Sequence, residues 1–271
     1  MFDPTRARRT MSGERPLRIA IIVLTLLFLV YIPFVVFKVL QRASLPQISL
    51  HNTTVALLLS KKNPIPADAI KIMPLGDSIT MGVNSSDLGG YRVTLWSEIE
   101  SAGWHVAFVG SQTSGPPSLT DQEHEGHPGW RIDQLSSHIV SWLEAYQPQI
   151  ILLHIGTNDF IQNHQVSTAP ARLNYLITQI TTTLPHAIVI VAQITPLGTP
   201  RLNAEVVTYN KAIPPMVRLM SAQGKHVSYV DMYDAVPLKD ISDHIHPNDS
   251  GYALMAHVWY TALGTAIPTH G

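Results

Sequence analysis

Four polar side chains in this chain have types and spacings that suit nucleophilic catalysis: Ser78, Asn158, Asp243 and His246. A serine hydroxyl is a poor nucleophile until a neighbouring base takes its proton, and that base needs a group that orients it. Asp243 and His246 are separated by two residues, so one loop can present both side chains to Ser78. The alternative is structural, because aspartate and serine are also common helix caps.

Apolar runs precede the serine and the asparagine and predict the elements that position them. The sequence predicts five strands, at Ile70–Leu75, His105–Val109, Ile150–Ile155, Ile188–Ile194 and Val227–Val230. Helical patterns lie between the strands and after the last one. This alternation is typical of a parallel sheet that is covered by helices on both faces. Ligands bind such sheets beyond the carboxyl ends of the strands, which is where Ser78 stands.

The order of three short motifs resembles that of the SGNH (GDSL-type) hydrolase superfamily. Gly-Asp-Ser at 76–78 comes first, Gly-Thr-Asn-Asp at 156–159 follows, and Asp-His-Ile-His-Pro at 243–247 comes last. The resemblance covers about residues 67–266. It implies a flavodoxin-like three-layer sandwich with a five-stranded parallel sheet in the order 2-1-3-4-5.

The same resemblance implies a role for each candidate side chain. Ser78 would be the nucleophile, His246 the base, and Asp243 the group that orients the base. The tetrahedral intermediate places negative charge on the former carbonyl oxygen, which needs preorganised donors. The resemblance implies that these donors are the Ser78 N–H, a glycine N–H and the side-chain amide of Asn158.

Two glycines are candidates for the middle donor of this oxyanion hole. Gly110 directly follows the second predicted strand, whereas Gly129 starts the helical segment at 130–135. The oxyanion glycine of the superfamily typically opens such a helix, and a helix N-terminus favours an anion. We therefore predict that Gly129 is the donor and interpret Gly110 as a turn glycine.

Longer stretches narrow the resemblance to carbohydrate esterase family 3. They are Gly-Gly-Tyr-Arg-Val-Thr-Leu-Trp at 89–96, Phe-Val-Gly-Ser at 108–111, His-Glu-Gly-His-Pro-Gly-Trp at 124–130 and His-Pro-Asn-Asp-Ser-Gly-Tyr at 246–252. Members of that family are associated with removing acetyl groups from xylan and related glycans. The resemblance therefore implies a serine esterase that hydrolyses short-chain, chiefly acetyl, esters on carbohydrate.

Four residues are predicted to contact such a substrate: Asp77, Tyr91, Arg92 and Trp130. Each also has a structural alternative, as a loop-shaping carboxylate, a buried aromatic ring or a structural arginine. Two rival functions stay open. A lysophospholipase or thioesterase on the same fold would need an apolar acyl groove, which the polar loop at 111–129 does not favour. A non-catalytic surface glycan-binding protein on the same scaffold is the other rival.

Composition restricts the other partners. The chain has 271 residues, a formal net charge of −1 and no cysteine. Near-neutral charge predicts no nucleic-acid partner, and the lack of cysteine excludes disulfides and thiolate metal sites. His124 and His127 are the best metal candidates among 13 histidines, but their spacing is not that of the His-Glu-x-x-His motif. We predict no metal and no cofactor; the oligomeric state stays open.

The N-terminal part predicts a membrane protein. An uncharged, almost wholly apolar run at 19–37 follows a basic tail at 1–18 and spans about 28 Å as a helix. We predict a transmembrane anchor at 19–40, a linker at 41–66 and the hydrolase domain at 67–266. The arginines before the run place the N-terminus in the cytoplasm and the domain outside, in a single-pass protein. Secretion after cleavage of a signal peptide is the alternative.

Overall fold

The computed structural model describes residues 65–267. Its strands are β1 (Ile70–Gly76), β2 (Val106–Phe108), β3 (Gln112–Thr113), β4 (Glu123–Gly126), β5 (Ile150–His154), β6 (Ile188–Ala192) and β7 (Val227–Val230). Its α-helices are α1 (Ser78–Met81), α2 (Tyr91–Ser101), α3 (Ile132–Tyr146), α4 (Thr157–Ile161), α5 (Ala169–Thr183), α6 (Pro200–Ala222) and α7 (Asp249–Ala266). Short 3₁₀ helices lie at Val166–Thr168 and Leu238–Asp240.

The strands form one mixed sheet of seven strands in which β1 is central. β5 pairs in parallel with one side of β1, and β6 and β7 continue the sheet outward. On the other side, β2 pairs in parallel with the first half of β1, and β4 pairs in parallel with its last two residues. β3 is antiparallel to β4. On this side, the neighbour of β1 is therefore β2 along its first half and β4 at its carboxyl end.

The prediction of a wholly parallel, five-stranded sheet was wrong because of β3 and β4. The five apolar runs form β1, β2, β5, β6 and β7, which are mutually parallel. β3 and β4 lie inside the stretch at 111–129 that the sequence predicts as a loop. They are two and four residues long and polar, so they have no apolar periodicity to predict them.

Helices cover both faces of the sheet because alternate strand residues point to opposite faces. Met73 and Leu75 of β1 belong to a core cluster with α3, α5 and α6. Ile72 belongs to a second cluster with α2 and α7. The fold is thus a three-layer α/β sandwich, in which the inner strands β1, β5 and β6 are buried on both sides whereas the edge strand β7 is partly exposed.

The prediction of a fold with a transmembrane helix also needs correction. Within residues 65–267, no helix is long and apolar enough to cross a membrane. The single-pass location, with the N-terminus in the cytoplasm, is withdrawn with that helix. Three predicted segments lie wholly or almost wholly outside the described residues: the tail at 1–18, the anchor at 19–40 and the linker at 41–66.

Candidate active site

Ser78 lies directly after the central strand. β1 ends at Gly76, and α1 begins at Ser78 with Asp77 as its N-cap residue. Oδ1 of Asp77 accepts a hydrogen bond of 2.9 Å from the backbone N–H of Ile79. This cap turns the chain sharply from strand to helix and leaves Ser78 at the carboxyl end of β1, with 8% of its surface exposed.

A continuous series of hydrogen bonds joins Ser78, His246 and Asp243. Ser78 Oγ lies 2.8 Å from His246 Nε2, and His246 Nδ1 lies 2.7 Å from Asp243 Oδ2. An ionised carboxylate only accepts hydrogen bonds, so Nδ1 carries the proton of a neutral ring and Nε2 accepts from the serine hydroxyl. The structure therefore brings together the three residues that the sequence predicts as a triad.

A short loop closed by a β-bridge between Ile241 and Pro247 carries Asp243 and His246. Oδ1 of Asp243 accepts from the backbone N–H groups of Ile245, at 2.9 Å, and His246, at 2.6 Å. Burial raises the pKa of Asp243, but the hydrogen bonds from His246 and Ile245 outweigh it and hold this pKa below its usual value. Asp243 is therefore ionised at neutral pH and can orient the imidazole.

Asn158 approaches the serine from the neighbouring strand. It is the second residue of α4, which follows β5, and 8% of its surface is exposed. Its Nδ2 donates to the backbone carbonyl of Trp130 at 3.0 Å and lies 3.4 Å from Oδ2 of Asp77. The amide thus connects the residue before Ser78 with the segment that contains Gly129.

Gly129 lies in a tight turn that precedes α3. The Trp130 N–H donates to the carbonyl of His127 at 3.1 Å, and Gly129 has a φ of 79°. A type II turn has this pattern, with proline at its second position and glycine at its third, as Pro128 and Gly129 are here. α3 begins only at Ile132. The Gly129 N–H has no hydrogen-bond partner in the part of the chain that the structure describes.

Gly110, the other candidate, is buried against β4. A Cβ at this position would lie 2.2 Å from both the carbonyl carbon and the carbonyl oxygen of His124. Glycine is needed here because two backbones approach closely. The geometry gives Gly110 a packing role. Gly129, by contrast, has an N–H without a partner among the described residues, and it directly precedes Trp130, whose carbonyl accepts from Asn158.

Asp77 is completely buried, and its oxygens face the groups that shape the turn. Burial is the main cause that raises its pKa to about 7, and the nearby charge of Asp159 adds to it, against the hydrogen bond from Ile79. Its contacts with Ile79 and Asn158 belong to the scaffold around Ser78. This position agrees with the loop-shaping alternative.

Tyr91 and Arg92 lie in the core rather than on a substrate surface. Both are completely buried, and the Tyr91 ring packs 6.0 Å from Trp259. The guanidinium of Arg92 donates to five backbone carbonyls and one hydroxyl: those of Thr80, Met81, Leu88, Ser114 and Gln122, and Ser114 Oγ. Arg92 therefore ties α1, which carries Ser78, to the segment that leads into β4.

Trp130 is half-buried beside the turn. Its ring centroid lies 4.2 Å from that of His127 and 5.0 Å from that of His138 on α3. Sequence reasoning missed two neighbours of this turn, Gln162 and Glu125. Gln162 Nε2 donates to the Gly129 carbonyl at 2.8 Å. Glu125 on β4 contacts His127, which directly follows that strand, and their spacing of two was the available signal, since such residues share a face of extended chain.

The histidines that the sequence offers as metal ligands are occupied by hydrogen bonds. Nδ1 of His124 accepts from the Gly126 N–H at 3.0 Å, and its Nε2 lies 2.8 Å from Ser114 Oγ. Burial is the main cause that lowers the pKa of His124 to about 2, so this imidazole is neutral. No group of three or more histidine or acidic side chains suited to a metal occurs between residues 65 and 267.

Comparison with known proteins agrees with this geometry. The model of the GDSL-like lipase/acylhydrolase family matches residues 75–254. A multidomain esterase from Ruminococcus flavefaciens is 31% identical over an alignment of 243 positions that covers 76% of this chain. The chain spans only 31% of the length of that relative.

Solved structures of carbohydrate esterases share the fold. A family 3 carbohydrate esterase from Clostridium thermocellum is 39% identical, with a TM-score of 0.65 over 71% of this chain and 94% of the other. An acetyl esterase variant with an acetate ion is 27% identical, with a TM-score of 0.64 over 73% of this chain and 97% of the other. The chain therefore belongs to the GDSL-like lipase/acylhydrolase family.

Proposed function

We propose that this protein hydrolyses acetyl esters on carbohydrate, with Ser78 as the nucleophile, His246 as the general base and Asp243 as the orienting acid. The observation that carries the proposal is the unbroken series of contacts from Ser78 Oγ through the His246 ring to Asp243, at 2.8 and 2.7 Å. If His246 were an ordinary surface residue and Asp243 only a helix cap, a 2.8 Å contact with Ser78, 168 residues away in sequence, would not be expected.

In the first step, Ser78 Oγ attacks the ester carbonyl while His246 Nε2 takes the hydroxyl proton. Asp243 stabilises the imidazolium that forms. His246 then gives the proton to the departing sugar oxygen, which leaves an acetyl-serine. A water molecule, deprotonated by the same Nε2, then attacks the acetyl carbonyl. When the bond between the acetyl carbon and Ser78 Oγ breaks, His246 returns the proton to Oγ, and the products are acetic acid, which ionises to acetate, and free Ser78.

The oxyanion that forms in both steps needs donors that do not have to reorganise. We propose the N–H of Ser78, the N–H of Gly129 and the Nδ2 group of Asn158. The turn at Gly129 and the amide of Asn158 meet through the Trp130 carbonyl, at 3.0 Å. This shared contact supports the assignment of Gly129 in preference to Gly110.

The relatives support the acetyl and carbohydrate parts of the proposal. Two solved structures more than 25% identical to this chain are a family 3 carbohydrate esterase and an acetyl esterase with an acetate ion. We infer that an O-acetylated polysaccharide or its fragments are the substrate. Of the four residues predicted to contact the sugar, Asp77, Tyr91 and Arg92 are completely buried. Trp130 is only half-buried and lies next to Gly129, so we propose that it contacts the sugar.

Hydrolysis of p-nitrophenyl acetate, butyrate and octanoate by the full-length protein tests the proposal, together with acetate release from acetylated xylan. A small acyl pocket rejects added methylenes, whereas a lipase groove gains about 0.8 kcal/mol for each buried CH₂. We expect kcat/KM to fall from acetate to octanoate, and Ser78→Ala to abolish both activities. Ser101→Ala, an exposed serine at the end of α2, is the control. A steady rise toward octanoate would identify a lipolytic enzyme instead.

A further inference from the structure

We propose that Glu125 and His127 are positioning residues that hold the turn at 127–130 so that the Gly129 N–H points at the oxyanion. Neither residue has a part in the triad or in the predicted substrate contacts. The inference rests on the proposed function, because it gives this pair a role in the same oxyanion hole. It explains why a carboxylate is buried directly beneath that turn.

Glu125 is completely buried, which is costly for an ionised carboxylate unless hydrogen bonds compensate for the lost water. Two donors and one histidine contact do so. Its Oε2 accepts from the Ser111 N–H at 2.8 Å, and its Oε1 accepts from Ser111 Oγ at 2.6 Å and lies 2.6 Å from His127 Nε2. A carboxylate that accepts from both groups of Ser111 can also accept from an imidazole N–H, and we assign the proton of this contact to His127 Nε2.

The ring of His127 is also fixed by stacking. It stacks against two indoles, with its centroid 4.2 Å from that of Trp130 and 4.8 Å from that of Trp142. The interplanar angles are 21° and 9°, and the two indole centroids lie 6.1 Å from each other. Two stacking partners and a contact with Glu125 at one ring edge restrict the orientation of the ring, so His127 anchors the start of the turn.

The backbone of the turn is held at each end. The His127 N–H donates to the carbonyl of Gly76 at 3.0 Å, next to the turn that carries Ser78. At the other end, the Trp130 carbonyl accepts from Asn158, and the Gly129 carbonyl accepts from Gln162. Among the backbone N–H groups of the turn at 127–130, only that of Gly129 has no partner within the described residues.

If the contact between Glu125 and His127 is removed, we expect kcat to fall while the affinity for substrate stays nearly the same. A displacement of about 1 Å in a catalytic group lowers the rate by about 100-fold. The oxyanion forms only along the reaction path, so a misplaced donor lowers kcat and leaves KM nearly unchanged. A residue that served stability alone would lower the folded fraction and leave kcat per folded molecule unchanged.

The experiment measures kcat and KM for p-nitrophenyl acetate, per folded molecule, in the full-length protein. His127→Phe keeps a ring that can stack against the two indoles but removes the hydrogen bond to Glu125. Glu125→Gln keeps the shape of the partner, removes its charge and serves if the first variant folds poorly. His105→Phe is the matched control, because His105 contacts the carboxylate of Asp68 at 3.2 Å on the exposed surface.

We expect His127→Phe and Glu125→Gln to lower kcat by about 10- to 100-fold with KM within about twofold of wild type. In combination with Asn158→Ala, the loss should be smaller than the product of the separate losses, because the three residues act on one oxyanion hole. His105→Phe should behave as wild type.

Three results would overturn the inference: an unchanged kcat per folded molecule, a raised KM with normal kcat, or losses that multiply with that of Asn158→Ala. Failure of the proposed function would have a different signature. In that event the wild type would not hydrolyse acetyl esters, or Ser78→Ala would hydrolyse them as well as the wild type.

Discussion

The side-chain amide of Asn158 donates to the backbone carbonyl of Trp130 at 3.0 Å, and this contact joins two parts of the candidate oxyanion hole. Nδ2 has two hydrogens, one of which is donated to Trp130, while the other is directed to Oδ2 of Asp77 at 3.4 Å. The contact with Asp77 is long for a hydrogen bond, so the second hydrogen is the one that we propose is donated to the oxyanion. Asn158 aligns the turn that contains Gly129, and we propose that it also supplies a donor.

Replacement of Asn158 by alanine should lower kcat by about 10²–10³ and change KM little, because its second hydrogen is used in the transition state. Steady-state kinetics on p-nitrophenyl acetate measure both constants. Asn174→Ala, an exposed asparagine on α5, is the control. A large rise in KM with a normal kcat would assign Asn158 to substrate binding.

Replacement of Arg92 by lysine should destabilise the domain and leave KM unchanged. Lysine cannot serve the six acceptors of the guanidinium, so several buried carbonyls lose their partners. We expect a loss of about 2–4 kcal/mol, or about 5–15 °C in Tm. Thermal unfolding and KM, measured where both proteins are folded, test this, with the exposed Arg218→Lys as control. A raised KM with an unchanged Tm would return Arg92 to the substrate site.

Replacement of Asp77 by asparagine should alter how stability depends on pH. The pKa of Asp77 in the folded protein is about 7, which is above its value near 4 in the unfolded chain. Between these values the folded state holds a proton that the unfolded state has lost, so this group destabilises the wild type as pH rises.

The stability of Asp77→Asn relative to wild type should therefore rise between about pH 4 and pH 8. Urea unfolding at several pH values measures this difference, in which all groups common to the two proteins cancel. A difference that stays constant with pH would show that the carboxyl group is already ionised in the folded protein at low pH.

Replacement of His154 by leucine should have its largest effect in acid. His154 is completely buried in β5, and neither ring nitrogen has a hydrogen-bond partner among residues 65–267. Burial lowers the pKa of His154 to about 4, from its ordinary value of 6.5. Between pH 6.5 and 4 the unfolded chain binds a proton that the folded protein excludes, so the wild type loses stability as pH falls.

The stability of His154→Leu relative to wild type should thus increase from pH 7 to pH 5. At pH 7 the change should be nearly neutral, because it removes buried polar atoms that have no partner. Equilibrium unfolding at both pH values checks this. Equal differences at pH 5 and pH 7 would mean that His154 is not excluded from protonation in the folded state.

Much of the fold can be predicted from the sequence, because burial on both faces leaves a long apolar run. β1, β5, β6 and β7 follow such runs closely. β4 could not be predicted this way, since its residues are Glu-His-Glu-Gly and three of the four are nevertheless buried. Their polar atoms are satisfied by Ser111, Ser114 and His127, and such tertiary contacts have no sequence periodicity.

The same division holds for the residues proposed to contact the sugar. Tyr91 and Arg92 occur in a stretch that resembles carbohydrate esterases, but the structure places both in the core. A sequence pattern records that a residue type is needed at a position without recording whether it contacts a ligand or the backbone. Arg92 binds the backbone, because its guanidinium donates to five carbonyls and one hydroxyl of the protein itself.

By itself the sequence determined that Asp243 and His246 share a loop, because a spacing of three residues allows little else. It also determined that Ser78 and Asn158 each follow an apolar strand. Only the tertiary structure decided that His246 Nε2 lies 2.8 Å from a serine 168 residues earlier in the chain. The physical reason is that β1 and β5 are parallel neighbours, so their carboxyl ends meet at one edge, and the loop before α7 closes over that edge.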